Sequence, residues 1–237
     1  MYKNLIPLNS VAHAHLKLSP VSNFSFAKTM HVCSVVLHEF PTVSASYPIV
    51  FVKKPDVEKF YPVVLMGLEP GENLFVNELG EWNASAYVPA AFRRYPFALV
   101  RDGADGLVIC FDEASSAFDA EKGSPLFTPE GKESEGLKRV QQFMTEMYNS
   151  EMLAEKFTEK LQSLDLLVPA NLAINTPNGA NRFEGAYLID ENRLGKLSDA
   201  EFISLREHGF LAAIYAQLIS LIQINSLIAK KTALLKK

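Results

Sequence analysis

The polar stretch DAEKGSPLFTPEGKESEG, residues 119–136, decides the fold class because the hydrophobic period of the chain changes across it. Before this stretch, short apolar runs rich in β-branched residues are bounded by proline and glycine, which is typical of strands. After it, apolar residues recur at helical spacing over residues 135–164. The glycines, prolines and charges of the stretch itself predict a surface loop over residues 119–134.

The first half contains several predicted strands. Residues 47–52 and 62–68 are apolar runs, the first with a proline near its start, where a missing backbone N–H is tolerated. Residues 98–101 and 107–112 flank the sequence DGADG and predict a hairpin with a loop of several residues.

The second half is predicted to be mainly helical. Residues 135–164 predict one or two helices, and residues 166–174 and 182–189 predict two strands around a Thr-Pro-Asn-Gly turn. Ser198 and Glu201 form a capping box, whose helix we expect to end or bend at Gly209.

These patterns together predict an α+β fold. A strand-rich N-terminal half is expected to pack with a mainly helical C-terminal half that contains one late hairpin. We expect residues 1–237 to form a single compact domain, with a strand-rich lobe at 30–118 and a helix-rich lobe at 135–237.

Composition sets limits on the function. The chain is 48% hydrophobic and 21% charged, which is typical of a folded protein. Because 23 basic and 27 acidic residues give a net charge of −4, we expect no nucleic-acid partner. Cys33 and Cys110 indicate buried thiols in a reducing compartment. The N-terminus has no secretory signal pattern, so we expect a cytoplasmic protein, with envelope association as the alternative.

Residues 210–229 contain no charged side chain, and about 20 apolar residues suffice to span a bilayer. Gln217, Ser220, Gln223 and Ser226 recur at every third position and would form a polar ridge, which is costly against lipid. Two interpretations stay open, a helix packed in a soluble protein and a helix that touches a membrane, and we favour the first.

The sequence lacks the motifs of several common chemistries. There is no phosphate-binding GxxxxGK[ST], no GxGxxG, no GxSxG and no HExxH. His13 and His15 have the spacing of a metal-binding pair but no third ligand nearby. His31, Cys33, His38 and Glu39 are chemically able to bind zinc, but their apolar neighbours favour a core strand. We therefore expect no metal and no cofactor.

Residues 73–99 form the candidate binding region because tryptophan, tyrosine and arginine are enriched at the energetic centres of binding surfaces. Arg93 and Arg94 follow Pro89 in what resembles a first helical turn, so one guanidinium can point inward and bind a carboxylate or phosphate. Trp82, Tyr87, Tyr95 and Phe97 are expected to line an apolar cleft beside the arginines. The alternatives are a salt bridge for the arginines and simple core packing for the aromatic rings.

Glu39 ends an apolar run and completes the candidate site. A carboxylate at the edge of a core is costly unless it is paired, so we expect a cationic or amide partner, with Arg93 or Arg94 as candidates. A role as general acid or base and a purely structural role both stay open.

The order of these motifs resembles the bacterial SapC-like family, from about residue 30 to residue 230. The matching positions in the first half are Glu39-Phe40, Tyr47-Pro48-Ile49-Val50-Phe51, Asn73-Leu74-Phe75, Gly80-x-Trp82, Tyr87-Val88-Pro89-Ala90 and Arg93-Arg94-Tyr95-Pro96-Phe97. The matching positions in the second half are Gly185, Ile189-Asp190-Glu191, Leu194, Leu197, Leu205, Gly209, Gln217, Leu218, Ser220 and Leu221.

The resemblance implies association with a surface layer or envelope, or with peptide or amino-acid uptake and modification systems. It does not extend to the peptide-transporter permease subunit of the same name, because a permease needs several membrane spans. No catalytic residue is carried over. We expect a non-catalytic accessory protein that binds a protein or peptide. The alternatives are an enzyme with a Glu/Arg site and a structural protein of the surface layer or membrane, and the oligomeric state stays open.

Overall fold

The computed structural model describes residues 1–53, 58–103, 106–119, 121–170, 172–176, 179–183 and 185–236, with the backbone alone for 172–176 and 179–183. The strands are β1 (Leu5–Pro7), β2 (Lys17–Leu18), β3 (Val32–Ser34), β4 (Ile49–Lys53), β5 (Phe60–Leu65), β6 (Phe97–Asp102), β7 (Gly106–Asp112), β8 (Phe118–Asp119), β9 (Ser124–Pro125), β10 (Leu167–Pro169), β11 (Leu172–Thr176), β12 (Gly179–Phe183) and β13 (Ala186–Ile189). The helices are α1 (Phe40–Val43), α2 (Ala90–Arg93), α3 (Glu135–Ser163), α4 (Glu191–Leu194), α5 (Asp199–Glu207), α6 (Leu211–Ser220) and α7 (Gln223–Leu235).

The predicted α+β class is confirmed, with 37% helix and 22% strand. The chain divides into two compact units, each made of two separate segments. The first unit consists of Met1–Phe24 and Ala90–Asn149, and the second of Ser25–Pro89 and Ser150–Lys237. A single compact domain with lobes at 30–118 and 135–237 stays a prediction.

The first unit is built around a three-stranded sheet in the order β1-β7-β6. Strands β6 and β7 are the predicted hairpin, paired from Phe97 opposite Phe111 to Asp102 opposite Gly106. Apolar side chains of the sheet pack against the first half of α3. The core consists of Phe97, Phe111, Leu126, Phe127, Leu137 and Met144.

The segment predicted as a surface loop also contributes to this core. Leu126 and Phe127 are buried, and the short strand β9 pairs with β2. An adjacent leucine and phenylalanine lose most of their apolar area to the core on folding, which outweighs the polar character of the flanking residues.

The second unit contains a five-stranded sheet in the order β10-β13-β4-β5-β3. Phe157, on the second half of α3, lies at the centre of an aromatic cluster. Its ring centroid is 5.9 Å from that of Phe40, 6.2 Å from that of Phe51 and 5.2 Å from that of Phe210. Strands β11 and β12 form the late hairpin, whose turn residues 177 and 178 lie outside the described residues.

Helix α6 packs on this sheet with its polar residues inward. Gln217 and Ser220 are fully buried. The amide Nε2 of Gln217 donates to the carbonyl of Ile49 at 3.1 Å, and the Ser220 hydroxyl accepts from the Ile49 N–H at 2.9 Å. On the outward side, Ile219 of α6 is 66% exposed, and Ile222, between α6 and α7, is 65% exposed. Gln217 and Ser220 of the predicted polar ridge therefore face the protein, together with the buried apolar residues Ala213, Ile214 and Ala216.

The capping box predicted at the start of α5 is confirmed. The Ser198 hydroxyl accepts from the Glu201 N–H, and the Glu201 carboxylate accepts from the Ser198 N–H. The helix is followed by Gly209 with a φ of 73°, a conformation that glycine adopts without steric cost. The chain can therefore change direction before α6 begins.

Candidate functional site

The arginine pair lies on a tight turn between α2 and β6 in the first unit. Arg94 N–H donates to the Ala90 carbonyl at 2.9 Å, and Phe97 N–H donates to the Arg94 carbonyl at 2.7 Å. Phe92 and Phe97 are buried on either side of the turn and fix its position. Pro89 immediately precedes the helix, and the peptide bond to Pro96 is cis.

A pocket of about 260 Å³ opens at this turn. Its lining is mostly apolar and comes from both segments of the first unit. The lining residues are Leu18, Ser19, Pro20, Val21, Phe24, Phe92, Arg93, Arg94, Tyr95, Pro96, Phe97, Val140 and Phe143. A cavity of this size matches one large apolar side chain or a small ligand.

Both predicted arginines contribute to the pocket. The guanidinium carbon of Arg93 lies 5.2 Å from the centroid of the Phe143 ring, within the range of a cation–π contact. The Arg94 guanidinium lies beside the hydroxyl of Tyr2. Because a guanidinium keeps its charge throughout the physiological pH range, one side of the pocket is cationic.

Tyr95 connects the pocket to the N-terminus. Its ring centroid is 5.8 Å from that of Tyr2, whose hydroxyl donates to the Phe97 carbonyl at 2.7 Å. Burial raises the pKa of both tyrosines above the ordinary value, so both hydroxyls stay protonated and act as donors at neutral pH. The N-terminal segment thus fixes the turn that carries the arginines.

A fully buried carboxylate, Asp112, joins the same two segments. It accepts from the N–H groups of Lys3 at 3.1 Å and Asn4 at 2.8 Å, and from the Tyr95 hydroxyl at 3.2 Å. Burial alone would raise the pKa of Asp112, but these hydrogen bonds outweigh it and hold the pKa below its ordinary value. Asp112 is therefore an anion that connects the N-terminal segment to Tyr95 beside the pocket.

The second unit contains the other predicted site residues. Glu39 is 2% exposed, and its carboxylate accepts from the Tyr87 hydroxyl at 2.9 Å and from the Val36 N–H at 3.3 Å. The Tyr47 hydroxyl donates to the Tyr87 carbonyl at 2.5 Å and lies beside the indole of Trp82. Burial is also the main reason why the pKa of Tyr47 is raised.

The structure thus groups the predicted residues into two sets. Arg93, Arg94 and Tyr95 belong to the first unit and share one turn. Glu39, Trp82 and Tyr87 belong to the second unit, where Glu39 and Tyr87 are hydrogen-bonded. A single cleft that unites both sets stays a prediction. Within the described part of the chain, no group of three or more His, Cys, Asp or Glu side chains is arranged to hold a metal ion.

We compared the sequence with profiles of known protein families. The SapC family profile matches residues 8–227, which is nearly the whole chain. The chain belongs to the SapC family. No curated protein and no solved structure matches it.

Two features of this SapC family member were missed by sequence reasoning. Asp112 holds the N-terminus, and Tyr2 contacts Tyr95. The signal for Asp112 was present, because a carboxylate directly after the apolar run of residues 107–111 resembles the placement of Glu39. The contact of Tyr2 with a residue more than ninety positions away had no sequence signal.

Proposed function

We propose that this SapC family protein is a non-catalytic accessory protein that binds a protein or peptide partner through the pocket of residues 92–97. The observation that carries the proposal is the pocket itself, which combines apolar walls with the guanidinium groups of Arg93 and Arg94. An apolar group of the ligand fits the walls, and an anionic group fits the cationic side.

A carboxylate is the anion that best matches this arrangement in a peptide or amino-acid ligand. Arginine binds carboxylates with two parallel hydrogen bonds, and aromatic and proline side chains line the pocket beside the two guanidinium groups. The volume of about 260 Å³ restricts the apolar part to roughly one side chain. Such a ligand agrees with the peptide and amino-acid systems that the family resemblance implies.

The test uses N-acetylphenylalanine as the probe, with its uncharged amide as the matched ligand. We expect the acid to bind about tenfold or more tightly than the amide, because hydrogen bonds between charged groups are stronger than neutral ones. Titration followed by NMR shifts at residues 92–97 measures both affinities. Equal affinity for acid and amide would contradict the proposal.

Two variants test whether the preference for the acid over the amide depends on Arg94. Arg94→Gln removes the charge and should bring the affinity for the acid down to that for the amide, whereas Arg94→Lys should retain part of the preference. Arg101→Gln is the matched control, because Arg101 is an exposed arginine on β6 that does not line the pocket. Circular dichroism of each variant checks that the fold is kept.

A membrane-associated structural role is the second candidate. Helices α6 and α7 together, Leu211–Leu235, are long and apolar enough in composition to cross a membrane, with a mean hydropathy of 1.6 and 33% of the most apolar window buried. The observation in favour is that Ile219 of α6 and Ile222 just after it are exposed, whereas Gln217 faces the sheet. An enzyme that uses Glu39 with an arginine stays a prediction.

A further inference from the structure

We infer that the first unit binds an extended peptide at the open half of strand β7, in a groove separate from the arginine pocket. The groove has a volume of about 980 Å³ and shares no lining residue with that pocket. The peptide would continue the line of β1 as an added antiparallel strand, so this inference does not depend on the function proposed above.

Strand β7 is paired along its whole length on one side only. On the β6 side, pairing runs from Phe111 to Gly106. On the β1 side, the ladder covers residues 110–112, and the last bond runs from the Leu8 N–H to the Ile109 carbonyl at 2.9 Å. The part of β7 before Ile109 therefore lies beyond the end of β1.

The chain leaves the sheet edge at Asn9. The Asn9 side chain accepts from the N–H of Val11 at 2.8 Å and of Ala12 at 3.0 Å, and its own N–H donates to His13 Nδ1 at 3.0 Å. This turn ends the extended course of β1, although Ser10 still lines the groove and the His13 ring packs on Phe111 of β7, with ring centroids 4.9 Å apart. It also fixes the length of β1, because the segment cannot continue along the edge without breaking these bonds.

The open edge of β7 presents backbone N–H and C=O groups that can pair with an added strand. In an antiparallel sheet the N–H and C=O groups of successive residues point to alternate sides. Because the Ile109 carbonyl points to β1 and the Asp112 N–H points to β6, the N–H and C=O of Leu107 point into the groove. No described residue pairs with them. A peptide residue opposite Leu107 would form both hydrogen bonds.

The groove supplies an apolar site for the side chain of that residue. Its floor contains Leu8, Leu107, Ile109, Phe127 and Leu137, and Leu107 is 42% exposed. Residues opposite each other in a sheet point to the same face, so the residue paired with Leu107 and the residues two positions away would face this floor. The peptide should therefore alternate apolar and polar residues.

The rim of the groove carries three carboxylates and two ammonium groups, from Glu130, Glu133, Glu135, Lys132 and Lys138. Lys138 is paired with Glu135 at 2.7 Å. The rim is therefore net acidic by one charge, which favours a peptide with basic residues on its outer face. The occupant is thus an extended, alternating and basic segment of a protein partner.

The probe is the capped peptide Ac-Thr-Lys-Val-Thr-Val-Lys-Thr-NH2, whose valines lie on one face. We expect saturable binding to the whole protein, with slower hydrogen exchange at the Leu107 amide. N-methylation of both valines should weaken binding about tenfold or more, because those N–H groups face β7. N-methylation of the central threonine, whose N–H faces away from β7, should change the affinity less than twofold.

Variants of the protein test the same edge. Leu107→Pro removes the outward N–H without removing a bond to β6, and Leu107→Lys places a charge in the groove; both should weaken binding about tenfold. Val100→Lys is the matched control, because Val100 is 40% exposed on β6, on the other side of β7 from β1, and does not line the groove. Absence of binding to the wild-type protein at about 1 mM peptide, or equal binding by all three variants, would overturn the inference.

Discussion

At the residue scale, Asp112 connects the N-terminal segment to the turn that carries the candidate site. Its carboxylate accepts from two backbone N–H groups of that segment and from the Tyr95 hydroxyl. Asp112→Asn replaces one accepting oxygen by a donor that faces other donors. We expect the free energy of unfolding to fall by about 3 kcal/mol, since hydrogen bonds to a buried charge are costly to lose. Urea denaturation measures this change.

The pH dependence of the same variant has a defined sign. Because the pKa of Asp112 is lower in the folded protein than in the unfolded chain, the carboxylate stabilises the fold above an ordinary pKa of about 3.9, and this stability is lost as the pH falls through the lower folded value. The difference between wild type and Asp112→Asn should be constant above about pH 5 and shrink in acid. Glu113→Gln is the control, because this neighbouring carboxylate is exposed. A pH-independent difference would contradict the assignment.

The residue types in the sequence predicted part of the candidate site, but not the contacts that these residues make. Arg93 and Arg94 were recognisable from their charge and from their place between two prolines, and the structure places both at a pocket. Burial of Glu39 could be expected from its apolar neighbours, and it is 2% exposed. Its hydrogen bond with Tyr87 could not be expected, because a pairing across 48 positions depends on how distant segments of the chain pack.

At the scale of elements, α6 is attached to the sheet by polar side chains. Gln217 donates to the Ile49 carbonyl on β4 and accepts from the Ile189 N–H on β13 at 3.4 Å. Gln217→Leu keeps the volume but leaves these backbone groups buried and unsatisfied. We expect a loss of about 1–3 kcal/mol in the free energy of unfolding. Thermal denaturation followed by circular dichroism measures it.

Gln223→Leu is the matched control for this prediction. Gln223 begins α7, is only partly buried, and accepts from the Ser226 hydroxyl on its own helix rather than from the sheet. Its replacement should cost less than about 0.5 kcal/mol, as is usual for substitutions away from the core. If both glutamine variants lose the same stability, the sheet contacts of Gln217 are not the cause.

Elements with strong local signals could be predicted, and those fixed by long-range packing could not. The capping box at Ser198 and the hairpin of β6 and β7 follow from local chemistry, and both are present. The apolar neighbours of His31, Cys33 and His38 were expected to form a core strand, but only Val32–Ser34 do so, as β3, and a 3-10 helix follows at Leu37–Glu39. The pairing of β3 with β5 ends at Ser34. The apolar character of the run does not show where this pairing ends.

At the scale of the whole molecule, the α+β class was predictable because the hydrophobic period changes along the chain. The composition of the two units was not, because each unit combines two segments that are far apart in sequence. The stretch at residues 119–136 marks the change of period, yet it lies inside the first unit. A change of local pattern therefore identifies where helices replace strands, whereas unit boundaries depend on which distant segments pack together.

The orientation of α6 leads to a prediction for the protein as a whole. Gln217 at the end of α6 faces the sheet, whereas Ile219 on this helix and Ile222 just after it are exposed, which suits this end of the helix to lie on a membrane. The wild-type protein should float with phosphatidylcholine vesicles, which are zwitterionic and so reduce the effect of the net charge of −4. The double variant Ile219→Lys/Ile222→Lys should lose about tenfold or more in vesicle affinity, because charged side chains are costly in lipid.

The control for the vesicle experiment is Leu79→Lys, which introduces a charge at another exposed apolar side chain of the second unit, 72% exposed and outside α6 and α7. It should float like the wild type. Recovery of the wild-type protein in the aqueous fraction, or equal flotation of the double variant, would contradict membrane contact through α6.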